Sequence, residues 1–389
     1  MKIVIATDSF KENMTSLEVA TAIEKGILQV LPDAICIKVP MADGGEGTVQ
    51  SLVGATSGRI LKKTVIGPLG EPVEAHYGFF GNGHTAVIEM AEASGLPLVP
   101  KAKRDPLKTT TYGTGQLILD AIESGATEII IGIGGSSTND AGSGMAQALG
   151  VRYLDKDGNV LSQYAAGGML DRIAKIDVSG LDSRLRKISI QVACDVDNPL
   201  CGERGASAVF GPQKGASPEV VKTLDSNLSR FADLIRETLG ADVKDLPGAG
   251  ASGGLGAGLV AFCGATLRSG IDIVVGATGL EKALEGAHLA ITGEGQVDFQ
   301  TAFGKTPSGV ARAAKKTNVP VVAIGGALAD DARGVFEHGI DGLESAAARD
   351  MSLEEAIKNS RMHLQFAGER LARLILIGRR IERMFAGKE

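Results

Sequence analysis

The feature that most constrains this chain is a strand–loop–helix rhythm present at both ends and interrupted in between. Ile3-Val4-Ile5-Ala6 is a short apolar run, the pattern of a parallel strand buried on both faces. Thr15 with Glu18 three residues later spells a capping box. Val19, Ala22, Ile23, Gly26, Ile27 and Val30 then share one helical face until Pro32 closes the segment. Ile35 to Val39 reads as the second strand, and Asp43-Gly44-Gly45-Glu46-Gly47-Thr48 leads into the next helix. The rhythm returns at Leu289-Ala290-Ile291, a strand running into Thr292-Gly293-Glu294-Gly295. Thr306 is placed to cap a helix with Pro307 at its first position. Pro320 to Ile324 is a strand ending in Gly325-Gly326, Gly342 to Ala347 another, and a long final helix starts near Ser352. Five strands with intervening helices predict an α/β fold, a flavodoxin-like doubly wound parallel sheet of order 2-1-3-4-5 with the Leu289 strand third.

That order requires a large insertion. The expected flavodoxin-like domain is discontinuous, residues 1–70 and 287–389, interrupted by a second, inserted α/β domain at 71–286. A chain of 389 residues exceeds the size at which a single core stops growing. Within the insertion, Leu117, Ile118, Ala121 and Ile122 form a helix face closed by Gly125. Glu128 to Ile133 is a strand that runs into Gly134-Gly135-Ser136-Ser137-Thr138-Asn139-Asp140. Lys187 to Ala193 alternates in strand fashion and delivers Asp195 just past its end.

Composition narrows the function. The 53 glycines come partly in clusters without a collagen-like period, which suits tight phosphate-type loops. A net charge of −6 without Lys/Arg clusters excludes a nucleic-acid surface. Cys36, Cys194, Cys201 and Cys263 lack metal-type spacing, and the five histidines are scattered, so reduced thiols in a cytoplasmic enzyme are expected. The apolar run at Ile3–Ala6 is too short for a signal peptide, and the stretch from Gly253 to Leu267 is too broken by glycine to span a bilayer. Neither membrane nor nucleic acid is expected as a partner, and a homo-oligomer is compatible with the sequence.

In an open parallel sheet, ligands bind beyond the carboxyl ends of the strands where strand order reverses. In the predicted order that point lies between strands one and three. Its loops carry Asp8 and Lys11 on one side and Gly293, Glu294, Gly295 and Asp298 on the other, with Asp43 and Glu46 on the second loop. Carboxylates so placed suit Mg²⁺ or general-base work, and lysine suits phosphate charge. The Gly134-Gly135-Ser136 loop offers backbone N–H groups and hydroxyls to phosphate or carboxylate oxygens. Gly211-Pro212-Gln213-Lys214-Gly215 adds a lysine able to reach phosphate. Gly248-Ala249-Gly250-Ala251-Ser252-Gly253 spells a dinucleotide fingerprint, yet Val243 to Pro247 before it is no buried strand, so only a phosphate-contacting loop is retained there. Gly304-Lys305-Thr306 resembles the end of a P-loop, but Phe299 occupies the earlier glycine position.

Taken in order, these pieces resemble the bacterial glycerate 2-kinase family, the type 1 glycerate kinases, essentially from end to end. The matching stretches are Asp8-Ser9-Phe10-Lys11-Glu12, Ala42-Asp43-Gly44-Gly45-Glu46-Gly47-Thr48 and Ile131-Gly132-Ile133-Gly134-Gly135-Ser136. Ala193-Cys194-Asp195-Val196-Asp197-Asn198-Pro199-Leu200, Phe210 to Ala216, Gly248-Ala249-Gly250, Gly293-Glu294-Gly295 with Asp298, and Gly304-Lys305 complete the set. The resemblance implies transfer of the ATP γ-phosphate to D-glycerate, giving 2-phosphoglycerate, with Mg²⁺. Thr7, Gln296 and Phe299 depart from the family's usual proline, arginine and serine. On this basis Glu294 and Asp298 are expected to hold Mg²⁺, with Asp195 as a third ligand or a base, and Asp8 to act as base for the glycerate hydroxyl. Lys11, Lys214 and Lys305 would neutralise phosphate or carboxylate. Gly134, Gly135, Ser136, Gly250, Gly293 and Gly295 would line the nucleotide, and Asp43, Gly44, Gly45 and Glu46 the glycerate.

Overall fold

The computed structural model describes residues 1–10, 13–42, 48–302 and 304–386. The chain forms two compact units, residues 1–43 with 274–389, and residues 44–273. It opens with β1 (Lys2–Ile5), α1 (Ser16–Val30) and β2 (Ile35–Lys38). The capping box forms: Glu18 N donates to the Thr15 hydroxyl and Thr15 N to the Glu18 carboxylate.

The second unit begins at α2 (Thr48–Ala55), followed by β3 (Arg59–Ile66), β4 (Pro72–Phe79) and β5 (Thr85–Glu89), joined as antiparallel neighbours. The short α3 (Ala91–Ser94) and α4 (Tyr112–Glu123) lead to β6 (Glu128–Gly132). After α5 (Ser143–Ala148) comes a two-stranded antiparallel ribbon of β7 (Arg152–Leu154) and β8 (Lys175–Asp177). The unit continues through β9 (Ser189–Ala193), α6 (Ala206–Phe210), α7 (Pro218–Leu239), α8 (Ala251–Cys263) and β10 (Thr266–Arg268). Its main sheet has the order β10-β9-β6-β5-β4-β3. The strands from β10 to β5 run parallel, and the hairpin pair closes the far edge. Tyr77, Phe79, Ile129, Ile131, Tyr153 and Phe231 anchor its core.

Residues 48–70, expected in the first domain, belong to the second unit, where β3 pairs with β4 from Arg59↔Phe79 to Ile66↔Pro72. Arg-Ile-Leu-Lys-Lys-Thr-Val-Ile lacks the clean alternation that announces an edge strand, so the hairpin is written in pairing rather than in local pattern.

The chain then passes through α9 (Gly270–Thr278) and α10 (Leu280–Leu284) and completes the first unit. The remaining elements are β11 (Leu289–Val297), α11 (Thr306–Lys316), β12 (Val321–Leu328), β13 (Gly342–Ser345), α12 (Leu353–Lys358) and α13 (Ser360–Ala386). Ser352 caps the short α12, and the long final helix starts only at Ser360. The sheet order is β13-β12-β11-β1-β2, every neighbouring pair parallel. Ile3, Ile5, Leu289, Ile291 and Ile324 pack one face against Val19, Ile23 and Ile27 of α1 and Leu364 and Leu371 of α13. The two helices touch backbone to backbone: a Cβ on Gly26 would lie 1.9 Å from the Gln365 carbonyl oxygen, and one on Gly368 would lie 2.4 Å from that of Ile23. Among the described residues no helix is long and apolar enough to cross a membrane.

Candidate active site

In the first unit, the backbone leaving β1 stays paired with β11 beyond the strand. Ala6 N donates to Ile291 O at 2.7 Å and Asp8 N to Gly293 O at 2.8 Å. This brings Asp8 to the carboxyl edge of the sheet beside the β11 loop. Gly293 is there because β12 passes so close that a Cβ would meet the Ile324 carbonyl oxygen at 2.2 Å. Asp8 is buried, and both carboxylate oxygens are engaged. Oδ1 accepts from Ser9 N at 2.6 Å and from the Ser9 hydroxyl at 3.3 Å, and Oδ2 accepts from the Thr306 hydroxyl at 2.7 Å. Thr306 therefore does not cap α11 as its position predicted. Lys305 takes the N-cap place and the Thr306 hydroxyl goes to Asp8.

Glu294, Asp298 and Lys305 form the second cluster. The Lys305 ammonium lies 3.4 Å from Glu294 Oε2 and 3.6 Å from Asp298 Oδ1, bridging the two acids. Thr301 orders Asp298, its backbone N donating to Oδ1 at 3.1 Å while its hydroxyl accepts from Asp298 N at 2.9 Å. Burial raises the Glu294 carboxyl above its ordinary value, opposed by Thr301 and the Lys305 charge. Its Oε1 is buried without a hydrogen-bond partner. Two hard carboxylates, one with an orphaned oxygen and both already drawing a cation, fit Mg²⁺, which binds through one or two carboxylates and completes its shell with phosphate and water oxygens. Gly295 faces open space, with nothing within 4 Å of where its Cβ would stand.

In the second unit, β6 and β9 end side by side, Gly132 paired with Ala193, so the Gly134 loop and Asp195 leave the same edge of the sheet. Gly134 and Gly135 are exposed while Ser136 to Asp140 are buried. Asp140 organises the loop from inside, accepting from Thr111 N, the Thr111 hydroxyl, Gly142 N and Gly144 N. Burial pushes its carboxyl up against those four hydrogen bonds. Lys214, expected to reach outward to phosphate, is instead 2% exposed and donates to Ser136 Oγ and to the Thr138 carbonyl, each at 2.7 Å. Its burial lowers the ammonium pKa to about 7, and Asp140 opposes that shift. Asp195 is exposed and accepts from Gly270 N at 2.9 Å and the Ser269 hydroxyl at 3.1 Å, the bonds of a residue tying down the start of α9.

Gly250 is where a Cβ would strike the Pro199 carbonyl oxygen at 2.2 Å, so close packing accounts for it. No strand precedes the Gly248–Gly253 stretch, in keeping with the missing dinucleotide context. Of the three departures from the resembled family, Thr7 is buried with its hydroxyl on Ser16 O, Gln296 lies within β11, and Phe299 is half-exposed beside Gly334. Lys11, Asp43, Gly44, Gly45 and Glu46 lie outside the described residues. The sequence missed Thr301 and Thr306 as carboxylate partners, because a hydroxyl donating to a distant acid leaves no local pattern. It likewise missed Asp140 and Thr111 as the loop's internal frame.

Carboxylates and a lysine at the carboxyl edge of a parallel sheet, with a glycine–hydroxyl loop at the edge of a second, mixed sheet, suit an α/β protein of the phosphoryl-handling class. Residues 3–376 match the family described as the Glycerate kinase family, and the chain belongs to it. It is 54% identical over 379 residues to the glycerate kinase of Bacillus subtilis, covering 97% of this chain and 99% of that one. It is 53% identical over 380 residues to the glycerate 2-kinase of Escherichia coli K12, covering 98% and 99%. A crystal structure described as that of glycerate kinase 2 from Salmonella typhimurium LT2 superposes with a TM-score of 0.90 at 53% identity, covering 98% of this chain and 99% of that one.

Proposed function

We propose that this protein transfers the γ-phosphate of ATP to the 2-hydroxyl of D-glycerate, giving ADP and 2-phosphoglycerate. The observation that carries the reading is the Glu294–Lys305–Asp298 cluster beside Asp8 in a chain of this family. Phosphoryl transfer asks a protein for positioned charge more than for covalent chemistry. Glu294 and Asp298 would hold Mg²⁺, which supplies charge neutralisation at the phosphates. Asp8, oriented by Ser9 and Thr306, is the base that takes the proton of the acceptor hydroxyl. Lys305, at the start of α11, offers its charge to phosphate. The Gly134-Gly135-Ser136 loop holds an anionic group of one substrate, and Gly293 and Gly295 give the nucleotide close access to the strand end. Asp195 remains assigned as a third ligand or base, and Lys11, Asp43, Gly44, Gly45 and Glu46 to glycerate and phosphate binding.

The first unit is proposed as a flavodoxin-like, doubly wound domain interrupted by the second. The strand order supports this, as do Ile3 and Val4, which alternate to opposite faces and are both fully buried. The test is ADP release with ATP, Mg²⁺ and D-glycerate, followed by ³¹P NMR of the product. Glycerate-dependent ADP release with phosphorus on the 2-oxygen is expected. Turnover with another hydroxy acid and none with glycerate would overturn the assignment.

A further inference from the structure

The loop after β6 has its acceptors turned inward. The Gly135 carbonyl accepts from Leu96 N at 2.8 Å, that of Ser137 from the Thr109 hydroxyl at 2.8 Å, and that of Thr138 from Lys214 Nζ at 2.7 Å. The side-chain oxygen of Asn139 accepts from the Ser207 hydroxyl at 3.2 Å. Polar atoms that can donate are left over: Thr138 Oγ1 and Asn139 Nδ2 are buried without partners. Ser137 spends its N–H and hydroxyl on the Ser94 carbonyl, but a loop with three carbonyls occupied and two polar groups still able to donate suits a ligand made of acceptors, a carboxylate or a phosphate.

Ser136 stands at the junction of the exposed and buried parts of this loop. Its Oγ accepts from the Lys214 ammonium at 2.7 Å, so its own proton points away from the lysine and remains to be donated. Lys214 reaches this position from a 3₁₀ turn, Pro212–Lys214, that opens on a proline. Gly215 behind it is left-handed at φ +97°, and a Cβ there would lie 2.4 Å from the Arg104 carbonyl oxygen. A hydroxyl that accepts from an amine is a stronger donor than an isolated hydroxyl, because each bond polarises the next, and the effect is largest where Lys214 carries its proton.

We propose that the Ser136 hydroxyl contacts the substrate's anionic group and that Lys214 is the positioning residue behind it, fixing and polarising that hydroxyl without touching the ligand. This rests on the reading that the Gly134-Gly135-Ser136 loop binds the carboxylate of glycerate or a phosphate of ATP. The deciding experiment is a double-mutant cycle of Ser136→Ala and Lys214→Met, with KM for glycerate, KM for ATP and kcat measured separately. Loss of a charge-assisted hydrogen bond predicts that each variant raises the same KM about tenfold or more while kcat changes only a few-fold. The double variant should be no worse than the poorer single one. A rise in KM for glycerate identifies the carboxylate, and a rise in KM for ATP identifies the phosphate.

Ser136→Thr keeps the hydroxyl and should restore the wild-type KM. Effects that add in full would make Lys214 merely structural and overturn its role. A folded Ser136→Ala enzyme with both KM values within about twofold of wild type would overturn the whole proposal. If Lys214→Met does not fold, the alanine and threonine variants at 136 decide the contact. If the wild-type enzyme shows no glycerate-dependent turnover, the kinase reading fails on its own. Calorimetric titration of ADP and of D-glycerate into wild type and Ser136→Ala then decides the anion contact: weaker binding to the variant supports it, and equal binding overturns it.

Discussion

Thr306 donates its hydroxyl to Asp8 Oδ2 at 2.7 Å, joining the first loop of the chain to a helix start 298 positions later. Ser9 holds the opposite carboxylate oxygen, so Asp8 has its plane fixed from both sides. A base held this way should be sensitive to its holder. Asp8→Asn is expected to lower kcat by about 10²–10⁴ in a folded protein. Thr306→Val, which removes one donor from the carboxylate but keeps its charge, should cost about tenfold in kcat with KM little changed, and Thr306→Ser should recover it. Steady-state kinetics beside a circular dichroism spectrum checks both. Near-wild-type turnover in Asp8→Asn would remove Asp8 from the base role.

Glu294 carries a burial cost that Thr301 and the Lys305 charge relieve only in part. Its carboxyl is held above the ordinary range by burial and one oxygen has no partner. A carboxyl with a raised folded-state pKa favours the fold at low pH, and that contribution is lost as pH rises through the folded value. At pH 8 without metal, Glu294→Gln should therefore leave the protein as stable as wild type or more stable, by about 1 kcal/mol. The same variant should lose about a hundredfold or more of kcat and much of its response to Mg²⁺ concentration. Thermal melts with EDTA and with Mg²⁺ separate the two effects. A variant that melts well below wild type in EDTA would show that the charge supports the fold.

The strand order of the first sheet was legible because fully buried parallel strands announce themselves as continuous apolar runs, as at Ile3–Ala6 and Leu289–Ile291. The acids at its edge were legible because loops after such strands are where ligands bind. What was hidden depends on the third dimension. The β3–β4 hairpin has no local alternation to read. Lys214 sits in a loop-like Gly-Pro-Gln-Lys-Gly stretch that says surface, yet it is buried because Ser136 and Thr138 offer it two acceptors. At Gly250, expected as a nucleotide contact, the small residue is also required by Pro199, whose carbonyl oxygen a Cβ would meet at 2.2 Å.

Burying Lys214 also leaves a signature in pH. Its ammonium is lowered to about 7 by burial, with Asp140 opposing, whereas a lysine in the unfolded chain titrates near about 10.4. Above about pH 7 the unfolded chain thus holds a proton that the folded chain has released, so this residue makes stability rise with pH. Urea unfolding of wild type and Lys214→Met at pH 7 and pH 8.5 should show their difference moving in favour of wild type by about 1–2 kcal/mol. A difference that stays flat over that interval would mean that the folded-state lysine keeps an ordinary pKa.

Two glycines separate stability from ligand access. Gly253 is left-handed at φ +68°, and a Cβ there would lie 2.0 Å from the Thr138 carbonyl oxygen, the atom that Lys214 also holds. Gly253→Ala meets both backbone strain and a rigid clash, so it should destabilise by about 3 kcal/mol or more. It should also displace the Ser136–Thr138 segment, raising the KM that Ser136→Ala raises. Gly295 has no left-handed requirement and nothing near its missing side chain. Gly295→Ala should change stability by less than about 0.5 kcal/mol, as surface substitutions usually do. If the nucleotide needs the space that Gly295 leaves open, the same variant loses ATP affinity in a fully stable protein. Urea titrations with KM for ATP on both variants test the pair. A Gly295→Ala enzyme with wild-type KM would place that glycine outside the nucleotide's reach.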